Sequence, residues 1–378
     1  MRLQLMISTP VNRLAGLCLV LLLMHSGGRA YGQNLPQDQV RVKHSYFSDN
    51  RSIFFPKSKG NTTPQTLISV TKGISEEVSI NSYYGVDAVS SATWRVDGVS
   101  GASPRIETEY RHEGGFGVTY RVGVNQMNLS GGISRERNYD SDFAALSFQR
   151  DFFDRNTTLA VSYAINRDEI ESVKLADTRP FPRDADLDAV TFSVAQVLSP
   201  KMLVQVNLFY AEQEGYLAHP ENILIFPGGT FGEEIHPESR HRRAVVGRMV
   251  RYFESRSALH TNYRYYSDSW GINSHTAGSD WYQYFGRHWI GRIGYRFYDQ
   301  SGADFFQENP VGPATFQTID GKLRPFTSHL YGLKVITTAW RIPWSFIKET
   351  EIDLKFDRYH QSGDYRAFVI EAGLIGRF

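Results

Sequence analysis

A short motif occurs twice, ten residues apart, and carries residue types that bind hard cations. The first copy contains Asp87 and Ser90, and the second contains Asp97 and Ser100. Two carboxylates beside serine hydroxyls supply the oxygen ligands that calcium prefers. The same residues also form turns, because Asp and Ser side chains accept hydrogen bonds from nearby backbone N–H groups. We favour stacked turns, at the rim of a strand or folded into the interior, and predict no metal site.

Several histidines supply residue types used in catalysis and in zinc binding. Ser274 and His275 supply the residue types of the nucleophile and the base of a serine hydrolase. Adjacent residues of a strand point to opposite faces, however, so the two could act together only in a loop. His219, His236 and His241 lie in one long connection, at a spacing that matches no closed zinc site. We therefore predict that the protein is not an enzyme and holds no cofactor. A membrane-bound hydrolase is the least favoured alternative.

Charged residues recur at alternate positions of three segments, where a strand would place them on one face. The six candidates for the inner wall of a pore are Arg264, Arg292, Arg296, Asp353, Lys355 and Asp357. Charge on such a wall selects the solutes that pass. The competing interpretation is a mutually neutralised ladder that solvates or plugs the interior. The residues alone favour neither interpretation over the other.

Alternation of apolar and polar residues predicts the strands that position these candidates. From Phe368 to Phe378 the even positions are apolar or glycine, whereas Glu371 and Arg377 lie on the odd face. Such a period of two, over about 10 residues, is typical of strands that cross a membrane at a tilt. The final Phe also resembles the signal that the barrel assembly machinery of bacterial outer membranes recognises. Sixteen segments show the pattern, from 40–46 to 365–378, and they include predicted strands at 77–84, 158–167 and 188–198.

The connections between these segments alternate in length. Tight links are predicted at 199–201, 254–257 and 286–288, and long ones at 168–187, 212–242 and 299–327. Outer-membrane barrels join their strands by short periplasmic turns and longer external loops in this way. The rhythm therefore predicts an all-β fold, a transmembrane antiparallel up-and-down β-barrel of about 16 strands, with 14 as the alternative.

The beginning of the chain has the layout of a secretory signal. Basic residues precede an apolar run at 14–24, which is too short to span a bilayer as a helix, and small residues occupy positions 30 and 32. We predict a cleaved signal peptide at 1–32. The remaining chain is predicted as an N-terminal segment with a first strand at 33–64 and an outer-membrane barrel at 65–378.

Composition supports a bacterial envelope protein. The only cysteine, Cys18, lies in the predicted signal, whereas a secreted eukaryotic protein of 378 residues would usually contain disulfides. The formal net charge of +1 gives no sign of nucleic-acid binding. The chain has 24 Phe, 21 Tyr and 6 Trp but no apolar run long enough for a membrane helix after residue 33. A barrel reconciles these facts, because only alternate residues of each strand face lipid.

Beyond the repeated motif, further segments resemble a bacterial envelope family of unknown function (domain of unknown function 3570). The resemblance rests on the repeat, on Glu109 and Arg111 just after it, and on Gly215-Tyr216-Leu217, Tyr263-Arg264-Tyr265-Tyr266, Asp268-x-Trp270, Ser274-His275-Thr276 and Tyr295-Arg296-Phe297-Tyr298-x-Gln300. It implies an outer-membrane β-barrel without an established activity, and an association with extracytoplasmic flavin-transfer and thiol-redox proteins. The chain departs from the family at Leu217-Ala218-His219-Pro220, where an Asp usually precedes the Pro.

We expect the protein to lie in the bacterial outer membrane, in contact with its lipid. The first functional hypothesis is a porin-like channel or binding protein for small polar solutes. The alternative is a non-conducting barrel that serves as a scaffold for periplasmic or other envelope partners, including redox or flavin-transfer proteins.

Overall fold

The computed structural model of the chain describes residues 35–49, 62–90, 108–136, 139–171, 182–218, 223–339 and 346–378. These residues form eighteen strands, of which sixteen close into one antiparallel barrel and two form a small hairpin. The barrel strands are β1 (Gln39–Asp49), β2 (Thr62–Gly73), β3 (Val78–Ser90), β4 (Thr108–Val122), β5 (Asn125–Glu136), β6 (Tyr139–Phe152), β7 (Thr157–Ile170), β8 (Arg183–Ser199), β9 (Met202–Gly215), β12 (Ser239–Phe253), β13 (Ser257–Asp268), β14 (Asn273–Phe285), β15 (Trp289–Gln300), β16 (Phe326–Ala339), β17 (Glu349–Gln361) and β18 (Tyr365–Arg377). The hairpin consists of β10 (Ile223–Ile225) and β11 (Phe231–Glu233).

Each barrel strand pairs with its sequence neighbours, and β1 pairs with β18 to close the cylinder. Closure bonds the backbone of every strand to a partner on both sides, which lipid requires because it offers no hydrogen bonds. The predicted all-β fold, an antiparallel up-and-down β-barrel of about 16 strands, is confirmed, and the barrel has 16. No helix in the described part of the chain is long and apolar enough to cross a membrane.

The two faces of the barrel differ as the alternation predicts. Large apolar side chains stand exposed on the outside, as shown by Leu129, Ile293 and Leu354, each with 59–65% of its surface accessible. Their neighbours in sequence point inward and are mostly polar or small. An apolar outer face and a polar interior are typical of a barrel surrounded by lipid.

The two ends of the barrel also differ. At the turn end, links such as 200–201, 254–256 and 286–288 are two or three residues long, and both ends of the described barrel lie there. The loop end carries the long connections at 171–182, 216–238 and 301–325, as predicted. It also carries a short turn at 269–272, between β13 and β14.

Several strands extend further toward the loop end than predicted. β3 continues to Ser90 instead of stopping at residue 84, and β8 begins at Arg183 instead of residue 188. In this region the outward positions of neighbouring strands carry ion pairs, such as Arg167 with Asp186 at 3.5 Å and with Asp188 at 3.2 Å. Because the apolar alternation ends where the strands rise above the lipid-facing band, the sequence pattern underestimates their length.

The seam between the first and last strands is reinforced at the turn end. The backbone N–H of Phe378 donates to the carbonyl of Asp38 at 3.1 Å. The carboxylate of Asp38 also accepts hydrogen bonds from the Lys72 ammonium and from the backbone N–H of Gly73. These contacts join the two termini of the described barrel to the end of β2.

Candidate functional site: the lumen wall and its loop cap

A ladder of charged side chains covers the inner wall formed by β14 to β18 and β1. We call this set the charged ladder: Lys43, Asp280, Arg292, Lys334, Asp353, Lys355, Asp357 and Glu371. Its ion pairs are Lys43–Glu371 at 2.8 Å, Lys334–Asp353 at 2.8 Å, Lys355–Asp357 at 2.7 Å, Arg292–Asp280 at 3.5 Å and Arg292–Asp357 at 3.6 Å. Every cation of the ladder thus has a carboxylate partner, and the wall is close to neutral there.

Four of the six predicted lumen residues belong to this ladder, namely Arg292, Asp353, Lys355 and Asp357. Glycines on the inner face make room for it. A β-carbon at Gly332 would lie 2.7 Å from both Arg292 Nη2 and Asp357 Oδ1. A larger residue at position 332 would therefore displace the ends of these two paired side chains.

The other two predicted residues, Arg264 and Arg296, point inward without joining the ladder. Arg264 lies on β13, with its guanidinium 5.0 Å from the ring centre of Tyr266. Arg296 lies on β15, beside Gly278 of β14 and Leu330 of β16 in the strand register. Neither arginine forms an ion pair with a described residue.

The opposite wall, formed by β4 to β9, carries small uncharged side chains at mid-height. Its inward positions include Gly115, Ser130, Ala145, Ser147, Ser162, Ala164, Ser193 and Asn207. On the adjacent strand β3, Asn81 points inward and is exposed. Short side chains at these positions leave space in the lumen. One side of the lumen wall is therefore lined by uncharged residues, and the other by the ion pairs of the charged ladder.

Two loops fold over the inner face at the loop end and form what we call the loop cap, residues 216–218, 223–238 and 301–325. Tyr216, Leu217 and Leu323 of the cap belong to one buried apolar cluster with the inward side chains of Ala244 and Tyr266. The two loops also pair with each other, since the backbone N–H groups of residues 235 and 317 each donate to the carbonyl of the other residue. The cap therefore covers the mouth on the β7 to β13 side.

Polar contacts hold the interior of the cap together. Buried Glu234 accepts hydrogen bonds from the Thr318 hydroxyl at 2.8 Å and from the Ile319 backbone N–H at 2.9 Å. The His236 ring lies with Nδ1 at 3.0 Å from the carbonyl oxygen of Leu217 and Nε2 at 3.5 Å from a Glu234 oxygen. The ring centre also lies 5.3 Å from that of Phe305, so His236 packs the two loops of the cap together.

Of the three histidines considered as zinc ligands, the two that the structure describes, His236 and His241, do not converge. His236 is buried in the cap, His241 is exposed on β12 within 3.5 Å of Glu212, and His219 lies outside the described residues. Within the described ranges, no group of three or more His, Cys, Asp or Glu side chains is arranged to hold a metal ion.

The Asp268-x-Trp270 motif forms the short turn between β13 and β14. One oxygen of buried Asp268 accepts hydrogen bonds from the backbone N–H groups of Trp270 at 2.9 Å and Ile272 at 3.1 Å. The other oxygen receives the Tyr266 hydroxyl at 2.7 Å and the guanidinium of Arg240. Arg240 in turn stacks on Trp270, 4.2 Å from the ring centre. This part of the family resemblance therefore has a structural role.

The repeated Asp-Ser motif is described only in its first copy. Asp87 lies within β3, not in a turn, and its buried carboxylate forms an ion pair with Arg111 of β4 at 2.8 Å. Cross-strand pairing replaces the predicted capping role, because the strand continues past this residue. Ser90 ends β3, and Asp97 and Ser100 lie outside the described residues.

The Ser274-His275 pair does not form a catalytic dyad. Both residues lie in β14, where Ser274 points inward and is buried. His275 points outward, with Nδ1 2.7 Å from the hydroxyl oxygen of Tyr263. The strand geometry thus separates the two side chains, as expected for adjacent residues.

Sequence reasoning missed other members of the site. Asp280, Lys334, Glu371 and Lys43 complete the charged ladder, and Glu234 holds the cap. The four ladder residues occupy inward positions of strands with alternating apolar and polar residues, so this alternation could have identified them as lumen residues. Nothing in the sequence signals that Glu234 meets Thr318, because their contact depends on how two loops fold.

Comparisons with known proteins add a family and a set of distant structural likenesses. A family model described as "Protein of unknown function (DUF3570)" matches residues 58–368. A search of curated proteins returned no match. The chain is similar in structure to a bacterial polysaccharide outer membrane secretin, at 9% identity and a TM-score of 0.47, over 90% of this chain and 98% of the other.

Two further solved structures come from Pseudomonas aeruginosa. The outer membrane protein opdK is similar at 9% identity and a TM-score of 0.47, over 90% of this chain and 98% of the other. A mutant of the ferric enterobactin receptor PfeA, in complex with enterobactin, is similar at 11% identity and a TM-score of 0.46. This likeness covers 87% of the present chain and 55% of the receptor.

Proposed function

Because the chain belongs to the DUF3570 family, whose function is unknown, we propose a function from the barrel itself: an outer-membrane channel for small polar solutes. One observation carries the proposal. An apolar outer face encloses a lumen whose β4 to β9 wall is lined by short polar or small side chains, with inward-pointing Asn81 exposed. A barrel of sixteen strands is wide enough for an aqueous channel when its interior is not filled by side chains.

The loop cap supports a role in controlling access to this channel. It packs on the inward side chains of Ala244 and Tyr266, so it narrows the mouth at the loop end. External loops that fold inward restrict the size of solutes in such a pore. The channel proposal therefore places solute selection at the cap and at the charged ladder below it.

The test is electrical recording on purified protein inserted in a planar lipid bilayer. Heat-modifiable migration on a gel first establishes that the sample is folded. Stepwise, ohmic currents are the expected result. A correctly folded sample that inserts but stays silent contradicts the channel and favours the second candidate, a barrel that acts as a scaffold for envelope partners.

A matched pair of variants on β7 links any current to the lumen. Ser162 points inward and Val161, its neighbour, points outward and is exposed to lipid. Ser162→Trp should reduce the single-channel conductance because the ring occupies the lumen. Val161→Trp should leave the conductance unchanged. Equal effects of the two substitutions would show that the current does not pass through the barrel.

The scaffold candidate rests on one feature, the folded cap over the mouth. A barrel closed by its own loops would present a rigid surface at the loop end without conducting. The partners of such a scaffold would include the redox and flavin-transfer proteins that the family resemblance implies. Silence in the bilayer, together with an intact fold, is the result that would favour it.

A further inference from the structure

Three inward arginines within four consecutive strands, β12 to β15, differ from every cation of the charged ladder. Arg242 of β12, Arg264 of β13 and Arg296 of β15, which we call the arginine track, form no ion pair with a described residue. Arg292, four residues from Arg296 on the same strand, is paired with both Asp280 and Asp357. The wall therefore holds positive charge that its own carboxylates do not neutralise.

Arg242 lies at the top of the track. It is 2% exposed, and one Nη group donates to the side-chain oxygen of Gln213. Its Nε and its other Nη have no hydrogen-bond acceptor. Asp268 lies opposite in the strand register but is occupied by Arg240 and by the backbone of its own turn.

Arg264 lies two inward positions below Arg242. Its guanidinium lies over the ring of Tyr266, 5.0 Å from the ring centre, and none of its N–H groups pairs with a carboxylate of a described residue. Its register partners are Val246 and Thr276, and neither carries a charge. The edge of this guanidinium is therefore available to a solute in the lumen.

Arg296 is the lowest member of the track. Asp357 lies within electrostatic range of it, but the oxygens of that carboxylate are engaged by Lys355 and Arg292. Its lateral neighbours in the register are Gly278 and Leu330, which offer no side-chain acceptor. Its positive charge is thus compensated less completely than that of Arg292.

The register sets the spacing of the track. Arg264 is level with Tyr298 of β15, and Arg296 is two residues below that level, two strands away. With strands about 4.8 Å apart and about 3.4 Å per residue, the two α-carbons are about 12 Å apart, and those of Arg242 and Arg264 are about 14 Å apart. Long arginine side chains can cover much of such distances, so an anion could pass from one guanidinium to the next.

We propose that the arginine track binds and conducts small anions that carry a carboxylate or phosphate group, from beneath the loop cap to mid-lumen. The guanidinium fork matches the oxygens of both groups. A guanidinium that has no carboxylate partner in the protein is stabilised by the carboxylate or phosphate of a bound solute. The proposal rests on the proposed channel function for conduction, but not for binding. It names the solute class that the lumen prefers.

The test combines selectivity with binding. In a potassium chloride gradient, the reversal potential of the wild-type channel should indicate anion selectivity, and added inorganic phosphate or succinate should block the current. The double variant Arg264→Gln/Arg296→Gln should lose the selectivity and weaken the block at least tenfold. The double variant Arg264→Lys/Arg296→Lys keeps the charge and should retain the selectivity.

Arg121→Gln provides the matched control, because it removes one inward cation that already faces a carboxylate, Asp151 at 4.0 Å. It should change the block far less than the double Gln variant. Block by phosphate alone or by succinate alone identifies which of the two groups is the ligand.

Failure of the proposal is distinguishable from failure of the channel. A conducting protein that prefers cations, or whose double Gln variant keeps its anion selectivity, overturns the arginine track. If the folded protein does not conduct, calorimetric titration of detergent-solubilised protein with phosphate and succinate tests whether the arginine track binds anions. Binding that the double Gln variant lacks supports the anion site, and absence of binding to the wild type overturns it.

Discussion

The carboxylate of Glu234 accepts a hydrogen bond from the hydroxyl of Thr318 at 2.8 Å, and this contact joins the two loops of the cap. The residues are 84 positions apart, and four barrel strands, β12 to β15, lie between them in sequence. Glu234 is almost fully buried and also receives the backbone N–H of Ile319. One side chain thus holds the 301–325 loop against the 223–238 segment.

Glu234→Ala should release this connection. The substitution removes two hydrogen bonds to a buried carboxylate, each worth about 1.5–3 kcal/mol. We expect faster proteolysis within 301–325 and a larger channel conductance. Glu238→Ala, at an exposed position of the same loop, is the control and should change neither. A cap that stays protease-resistant in Glu234→Ala would show that the apolar cluster and the backbone pairing of residues 235 and 317 hold it without this carboxylate.

Gly332→Leu should disrupt the charged ladder. A side chain at this position collides with the guanidinium of Arg292 and the carboxylate of Asp357. Overpacking of this kind costs about 1–3 kcal/mol. We expect a lower urea concentration at the midpoint of unfolding, and the heat-modifiable shift on a gel measures how much of the protein is still folded.

Gly247→Leu is the matched control, since a β-carbon there meets no atom within 4 Å. Its unfolding midpoint should equal that of the wild type. Similar losses in both variants would mean that glycine matters to the strands themselves and not to the ion pair.

Asp268→Ala should destabilise the turn between β13 and β14. It leaves Arg240 without its carboxylate and two turn N–H groups without an acceptor, and breaking a buried ion pair costs about 3–5 kcal/mol. Asp142→Ala removes an exposed partner of Arg135 and should cost at most about 1 kcal/mol. Urea unfolding of both variants checks the difference, and equal losses would contradict the role assigned to Asp268.

Acidification should loosen the seam at the turn end through Asp38. The Lys72 ammonium, which donates a hydrogen bond to this carboxylate, lowers the pKa of Asp38, and the backbone N–H of Gly73 adds to the effect. A lowered pKa means that the contact stabilises the fold above the ordinary pKa of a carboxyl group. This contribution is lost as the pH falls through the lowered value.

Asp38→Asn should remove this part of the pH dependence. Unfolding midpoints measured from neutral to strongly acidic pH would converge for the wild type and the variant at the acidic end. Two curves separated by the same amount at every pH would show that ionisation of Asp38 does not contribute.

The barrel could be predicted from sequence because lipid imposes a simple rule on each strand. Most outward positions of the barrel are apolar, so β18 and β17 show a clear period of two on their own. The rule stops where the strands leave the lipid. That is why outward Asp186, which pairs with Arg167 of β7, was not predicted to lie in a strand.

The candidate site was predictable only in part, for a different reason. The alternation of apolar and polar residues along β15 predicts equally well that Arg292 and Arg296 both point into the lumen. It does not give the register between strands, and only the register places Asp280 and Asp357 near Arg292. The same limit hid the partnership of Asp87 with Arg111, which depends on how β3 aligns with β4.

The central claim is that water, and therefore solute, occupies the inside of the barrel while lipid covers the outside. Single cysteines at Asn81, which points inward, and at Leu129, which points outward, test it directly in a chain with Cys18→Ser. A membrane-impermeant thiol reagent should react with Asn81→Cys and reduce the current during recording, and should leave Leu129→Cys unmodified. Reaction at Leu129→Cys but not at Asn81→Cys, or modification of Asn81→Cys without any change in current, would contradict the account.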